Sequence, residues 1–102
     1  MELELYQAEW CPHSHRVRQR LTEVGLDVVL RQVPADPERR TELQRVSGGT
    51  EIPALVLEDG MPICGDDQIM EYLDRYAERD DAEEHRRKAR TEVHEFAELR
   101  AA

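Results

Sequence analysis

Trp10-Cys11-Pro12-His13-Ser14 sets a cysteine between a strand and a helix, and that placement organises the rest of the chain. Before it, Leu3 and Leu5 alternate with Glu2 and Glu4, the period-2 pattern of a strand with one buried face, over about Glu2–Gln7. After it, Pro12 suits a first helical turn, Val17, Leu21 and Val24 recur at i, i+4 and i+7, and Gly25 closes the helix. A helix N-terminus carries unpaired N–H groups and the positive end of the dipole, so a thiolate at Cys11 is stabilised and becomes nucleophilic near neutral pH. The alternative is a buried, inert thiol, for which a Trp-Cys-Pro loop is a poor location. Ser14 stands where a Cys-x-x-Cys motif carries its second thiol, which makes the site monothiol. Its hydroxyl can donate to the thiolate, or it is a plain first-turn residue.

Outward from this stretch, Asp27–Val33 is β-branched and nearly continuous in apolar character at its centre, as expected of a buried parallel strand. Asp36 is placed to cap a helix with Pro37 at its first position, running to Val46 before Ser47-Gly48-Gly49. Ala54–Leu57, the turn Glu58-Asp59-Gly60 and Met61–Cys64 read as a β-hairpin. Asp66 is expected to cap the next helix, with Ile69, Tyr72, Leu73 and Tyr76 in one apolar stripe. Beyond Arg79-Asp80-Asp81 the sequence is strongly charged, but Ala89, Val93, Phe96 and Ala97 can share a narrow face, predicting a helix over 82–100. The expected order is βαβαββα plus a C-terminal helix: an α/β fold in one domain, 1–102, with its core in 1–79.

The 102 residues carry 14 Lys+Arg against 23 Asp+Glu, a formal net charge of −9, which disfavours binding to nucleic-acid phosphates. Only Lys88 among the basic residues is lysine, and with the acidic excess this resembles a salt-adapted composition. No stretch approaches the ~18 apolar residues needed to cross a bilayer, and the first residues lack the basic and apolar blocks of a signal peptide. A cytoplasmic protein is expected, with no membrane partner and with two cysteines serving as thiols rather than as a disulfide framework.

Thr50-Glu51-Ile52-Pro53-Ala54 puts a proline directly before a strand. Such a proline either starts an edge strand in trans or holds a cis peptide, and the residues alone favour trans. With Cys11-Pro12-His13-Ser14, Thr50-Glu51-Ile52-Pro53 and Gly65-Asp66-Asp67 in that order, residues 1–80 resemble the glutaredoxin branch of the thioredoxin superfamily. They equally resemble the N-terminal thioredoxin-like domain of glutathione transferases. The resemblance implies a four-stranded mixed sheet flanked by helices, a cis-proline at Pro53 and Cys11 as nucleophile. It further implies that the Ile52 backbone pairs with the cysteinyl part of glutathione, and that Pro53 shapes the groove. Gly65, Asp66 and Asp67 would meet its γ-glutamyl end through helix N–H groups and side chains; Asp66 and Asp67 also read simply as capping and dipole charges.

His13 replaces an aromatic residue, and either stacks on the ligand, stabilises the thiolate when protonated, or is an exposed polar substitution. Ala8 stands where many glutaredoxins carry a cation; His15, Arg16 and Arg18 supply positive charge nearby or form a solvated face. Cys64 reads as a small buried hydrophobe. His85 and His94 lack the spacing of metal ligands, so no metal site is expected.

The implied function is a monothiol glutaredoxin-like oxidoreductase that reduces protein mixed disulfides through Cys11. Glutathione or a related small thiol such as γ-glutamylcysteine is its co-substrate, with no tightly bound cofactor. The alternatives are a non-catalytic thioredoxin-fold scaffold that binds a small thiol or an iron–sulfur cluster, and an interaction domain with vestigial chemistry. Pro12 departs from the Cys-Gly-x-Ser loop of cluster-binding monothiol glutaredoxins, and Ala82–Ala102 is too short for the helical domain of a complete transferase.

Overall fold

The computed structural model describes residues 2–91. Its elements are β1 (Glu4–Gln7), α1 (Pro12–Val24), β2 (Val29–Gln32), a 3-10 turn (Pro37–Arg39), α2 (Thr41–Ser47), β3 (Ala54–Val56), β4 (Pro62–Cys64), α3 (Asp66–Leu73) and α4 (Ala82–Thr91). The four strands form one mixed sheet in the order β2-β1-β3-β4, with β1 parallel to β2 and antiparallel to β3, and β3 antiparallel to β4. This is the α/β arrangement of the thioredoxin fold.

The pleat divides the core. Leu5 and its register partner Leu55 point to one face, where Val17 and Leu21 of α1 and Ile69 and Leu73 of α3 cover them. Tyr6, Ala54 and Val56 point to the other, where they meet Leu43 of α2. The central strand β1 is therefore buried on both faces, not one: Leu5 is 0% and Tyr6 5% exposed. On that face Tyr6 follows Glu4 and precedes only the small Ala8, which gives no apolar alternation to read.

Two further expectations change. β2 is parallel, as expected, but lies at the sheet edge rather than in its interior, and Leu30 is 42% exposed. An apolar run reports that a strand can be covered, and among the described residues no further strand pairs with its outer side. The single helix expected over Pro37–Val46 is instead broken at Arg40, whose φ of −82° and ψ of 58° leave the helical region. Asp36 does cap the 3-10 turn, accepting from the Glu38 N–H at 2.9 Å. Arg40 is then turned inward, 5% exposed, with its guanidinium donating to the carbonyls of Pro34 at 2.8 Å, Ala35 at 3.1 Å and Thr50 at 3.0 Å. Three loop carbonyls compensate the buried cation and make it a bracket between the β2–α2 loop and the segment before Pro53.

Helix α1 ends as the sequence predicts. Gly25 takes φ +70° and its N–H bonds the Thr22 carbonyl at 3.1 Å, while the Leu26 N–H bonds Leu21 at 3.0 Å, a Schellman-type stop that needs a left-handed residue. Tyr76 lies past the end of α3, though it still packs with Tyr72 against the core. α4 docks through charge as well as through buried Ala82: Arg86 and Arg20 share Glu78, at 3.0 and 2.5 Å, and both approach Glu23 of α1. The predicted continuation through Val93, His94, Phe96 and Ala97 to residue 100 lies outside the described residues. No helix among the described residues is long and apolar enough to cross a membrane.

Candidate active site

Strand direction brings three separate stretches to one end of the sheet. β1 and β4 run the same way and β3 runs opposite. The loop after β1 (Trp10, Cys11), the segment before β3 (Ile52, Pro53) and the loop after β4 (Gly65) therefore share an edge, with the N-termini of α1 and α3 beside them. The Ile52–Pro53 peptide is cis, as the family resemblance implied and the residues alone did not. The Gly65 N–H bonds the Pro53 carbonyl at 2.9 Å, tying the second stretch to the third.

Cys11 is the N-cap of α1 and its Sγ accepts the Ser14 N–H at 3.4 Å. The sulfur takes the place usually filled by a capping oxygen. Burial alone would push the Cys11 thiol up, and Asp66 adds to that, but hydrogen bonds from the Ser14 side chain and from the backbone of Ser14 and His13 hold it below its ordinary value. Ser14 is fully buried, and its Oγ also accepts the Ala8 N–H at 3.4 Å while the Cys11 N–H bonds the Ala8 carbonyl at 3.2 Å. The loop is thus closed around the sulfur by its own backbone. Trp10, 64% exposed, stands outside it.

His13 points away from the interior, its side chain 64% exposed and its Nδ1 3.1 Å from Asp66 Oδ2. Arg16, one turn further along α1, donates through one nitrogen to Asp66 Oδ2 at 2.9 Å and to Asp67 Oδ1 at 2.6 Å. Asp66 is half-buried, and although burial raises its pKa, Arg16 and His13 hold it below the usual carboxylate range. The expected Asp66 cap is corrected: Gly65 is the N-cap of α3 and Asp66 and Asp67 occupy its first turn, without a side-chain capping bond. Gly65 can take this place because its φ of +89° with ψ of 143° is a conformation that side chains rarely adopt. A Cβ there would also come 3.1 Å from Glu51 Oε1.

Among residues the sequence left ambiguous, Arg16 reaches the N-terminus of α3 and Arg18 is held by partners on β1 and the loop after it. Arg18 pairs with Glu9 at 3.2 Å and bonds the buried Gln7, whose amide reaches Gln32 at 2.9 Å. Cys64 faces Ala54 across β3–β4, partly buried against the Tyr6–Leu43 core. Two concavities of about 360 and 390 Å³ flank β2, one beside α1 and one beside α2. Cys11 lines neither, and lies instead at the loop end of the sheet with Pro53 and Gly65.

A strand–Cys-Pro helix opposite a cis-proline, on a β2-β1-β3-β4 sheet, defines a member of the thioredoxin superfamily of the glutaredoxin and glutathione-transferase type. Residues 10–76 match the family described as glutathione S-transferase, N-terminal domain, and the chain belongs to that family. It is similar to a glutaredoxin from Pseudomonas aeruginosa, 35% identical over 51 residues, which cover 50% of this chain and 61% of the relative. Among solved structures it is similar to a glutathione S-transferase from Sinorhizobium meliloti, with TM-score 0.65 and 29% identity over 74% of this chain and 32% of the other. A glutathione S-transferase from Methylobacillus flagellatus, solved with glutathione bound, gives TM-score 0.64 and 30% identity, covering 74% and 37%. The chain spans about a third of the length of these transferases and under two thirds of the glutaredoxin.

Proposed function

We propose that the chain is a monothiol glutaredoxin-like thiol–disulfide oxidoreductase that reduces protein mixed disulfides with glutathione or a related γ-glutamyl thiol. The observation that carries this reading is Cys11 Sγ at the N-cap of α1, accepting the Ser14 N–H, with a serine where a second thiol would stand. The Cys11 thiolate attacks the small-thiol sulfur of the mixed disulfide. A new sulfur–sulfur bond forms to Cys11, the old one breaks, and the protein leaves as a thiolate that takes a proton from water. A second small thiolate then attacks the sulfur carried on Cys11, releasing the oxidised small disulfide and restoring the Cys11 thiolate. The low thiol pKa favours the last step, because a stabilised thiolate leaves more readily.

In this reading Ile52 and Pro53 line the cysteinyl part of the small thiol, Pro12 and His13 flank it, and Gly65, Asp66 and Asp67 receive its γ-glutamyl end. We further propose one thioredoxin-like domain, with residues 1–79 as its core, acting in the cytoplasm without a tightly bound cofactor. The test is reduction of a glutathionylated protein by glutathione. Cys11→Ser should abolish the catalysed rate and Cys64→Ser should retain most of it; loss in the second variant alone would overturn the assignment.

A further inference from the structure

The acidic pair to which the proposed function brings the γ-glutamyl end, where the ligand's ammonium would meet it, already holds a cation of the chain itself. Arg16 reaches across from α1 and shares one nitrogen between Asp66, at 2.9 Å, and Asp67, at 2.6 Å. A guanidinium N–H and an alkylammonium N–H donate to carboxylate oxygens in the same way, so the two cations compete for one seat. Arg16 is free to leave it: its side chain is 47% exposed, and among the described residues its guanidinium bonds these two carboxylates. Asp67, 90% exposed, is open to solvent. His13 shares the Asp66 oxygen at 3.1 Å, a second partner for that carboxylate beside Arg16.

We propose that Arg16 is a specificity-determining residue, an internal cation that a small thiol must displace with its own ammonium to seat at the N-terminus of α3. The inference rests on the glutathione reading of the site and adds its selectivity rule. A thiol whose α-amino group is charged replaces the guanidinium like for like. A thiol whose amino group is blocked gains nothing from the acidic pair and leaves Arg16 where it is. Removing Arg16 therefore bares the pair for ammonium-bearing thiols alone.

The test compares the intact chain with Arg16→Gln, using glutathione and glutathione acetylated on its α-amino nitrogen as alternative reductants of one glutathionylated protein. Glutamine keeps the helix and the stem of the side chain, and the thermal unfolding midpoint of each protein verifies the fold. Arg16→Gln should lower the half-saturating concentration of glutathione about two- to five-fold, the scale of an exposed ion pair. The ratio of the acetylated to the free thiol's half-saturating concentrations should rise by the same factor. A higher requirement for glutathione in the variant would overturn the proposal, by showing that the guanidinium meets the ligand's carboxylate. Parallel shifts for both thiols, or none, would also overturn it and leave Arg16 as a brace between α1 and α3. Failure of the underlying reading looks different: the unmutated chain would itself reduce the disulfide with neither thiol.

Discussion

Ser14→Ala isolates the part of the site that lowers the Cys11 pKa. The side chain is fully buried, so alanine fits the space it leaves and the backbone N–H that bonds Sγ at 3.4 Å is retained. What disappears is the hydroxyl bond to the sulfur, one of the three hydrogen bonds that hold the thiol down against its burial. A hydrogen bond to a charged acceptor is worth ~1.5–3 kcal/mol, and losing the lower end of that range cuts the Cys11 thiolate population, and with it the alkylation rate below the midpoint, about ten-fold. The Ala8 N–H, which Ser14 Oγ accepts at 3.4 Å, also loses its partner. For so long a bond, about 1 kcal/mol of folding stability goes with it. Linkage gives the sign of a second readout. A thiol whose folded pKa is depressed contributes stability that is full above its ordinary value and is lost as pH falls through the lowered one. The intact chain should therefore gain stability with pH across that window, and Ser14→Ala should gain less. The assay is the pH dependence of iodoacetamide alkylation at Cys11 in a Cys64→Ser background. A midpoint that stays put or falls would refute the hydroxyl's role and return Ser14 to a packing residue.

Other substitutions test the frame around that sulfur. Asp66→Asn with Asp67→Asn should raise the glutathione concentration needed for half-maximal turnover, measured in the same reduction assay; an unchanged value would reduce both to helix-dipole charges. Gly65→Ala should cost ~1–3 kcal/mol in urea unfolding, because its φ of +89° excludes a side chain and the new Cβ meets Glu51. Arg40→Gln should cost ~2–4 kcal/mol, since the buried bracket to Pro34, Ala35 and Thr50 is lost and their carbonyls go unpaired. Leu55→Ala, at the centre of the α1–α3 face, should cost ~2–5 kcal/mol by urea unfolding while leaving the Cys11 alkylation midpoint in place.

Much of this architecture is legible in the sequence because short-range signals and tertiary demands agree there. Pro12 and Gly25 bracket α1 within a residue of its observed ends, and the turn Glu58-Asp59-Gly60 sets the β3–β4 pairing. Where the two disagree, the tertiary partner wins. Nothing local to Pro37–Val46 says that Arg40 will leave the helix to bond carbonyls on two loops, one of them ten residues away. The apolar run of β2 does not say which strand stands beside it, and its place at the edge follows from the sheet order. At the site, Cys11 and Ser14 could be read from strand–Pro–helix spacing. The cis peptide at Pro53 could not, because an isolated X-Pro bond favours trans and only the resemblance pointed the other way. Arg16 was visible as a charge on α1 but ambiguous, since its carboxylate partners lie 50 and 51 residues away.

The central claim is that Cys11 carries the small thiol between protein and solution. Its most direct test is to mix the intact chain with a stoichiometric amount of glutathionylated protein, without free thiol, and to map the products by peptide mass spectrometry after rapid acid quench. The account predicts one glutathionyl group on the peptide containing Cys11, appearing at the rate at which the partner protein's thiol is freed and faster as pH rises through the lowered Cys11 pKa. A freed partner thiol with Cys11 unmodified, or with the group on Cys64 instead, would contradict it.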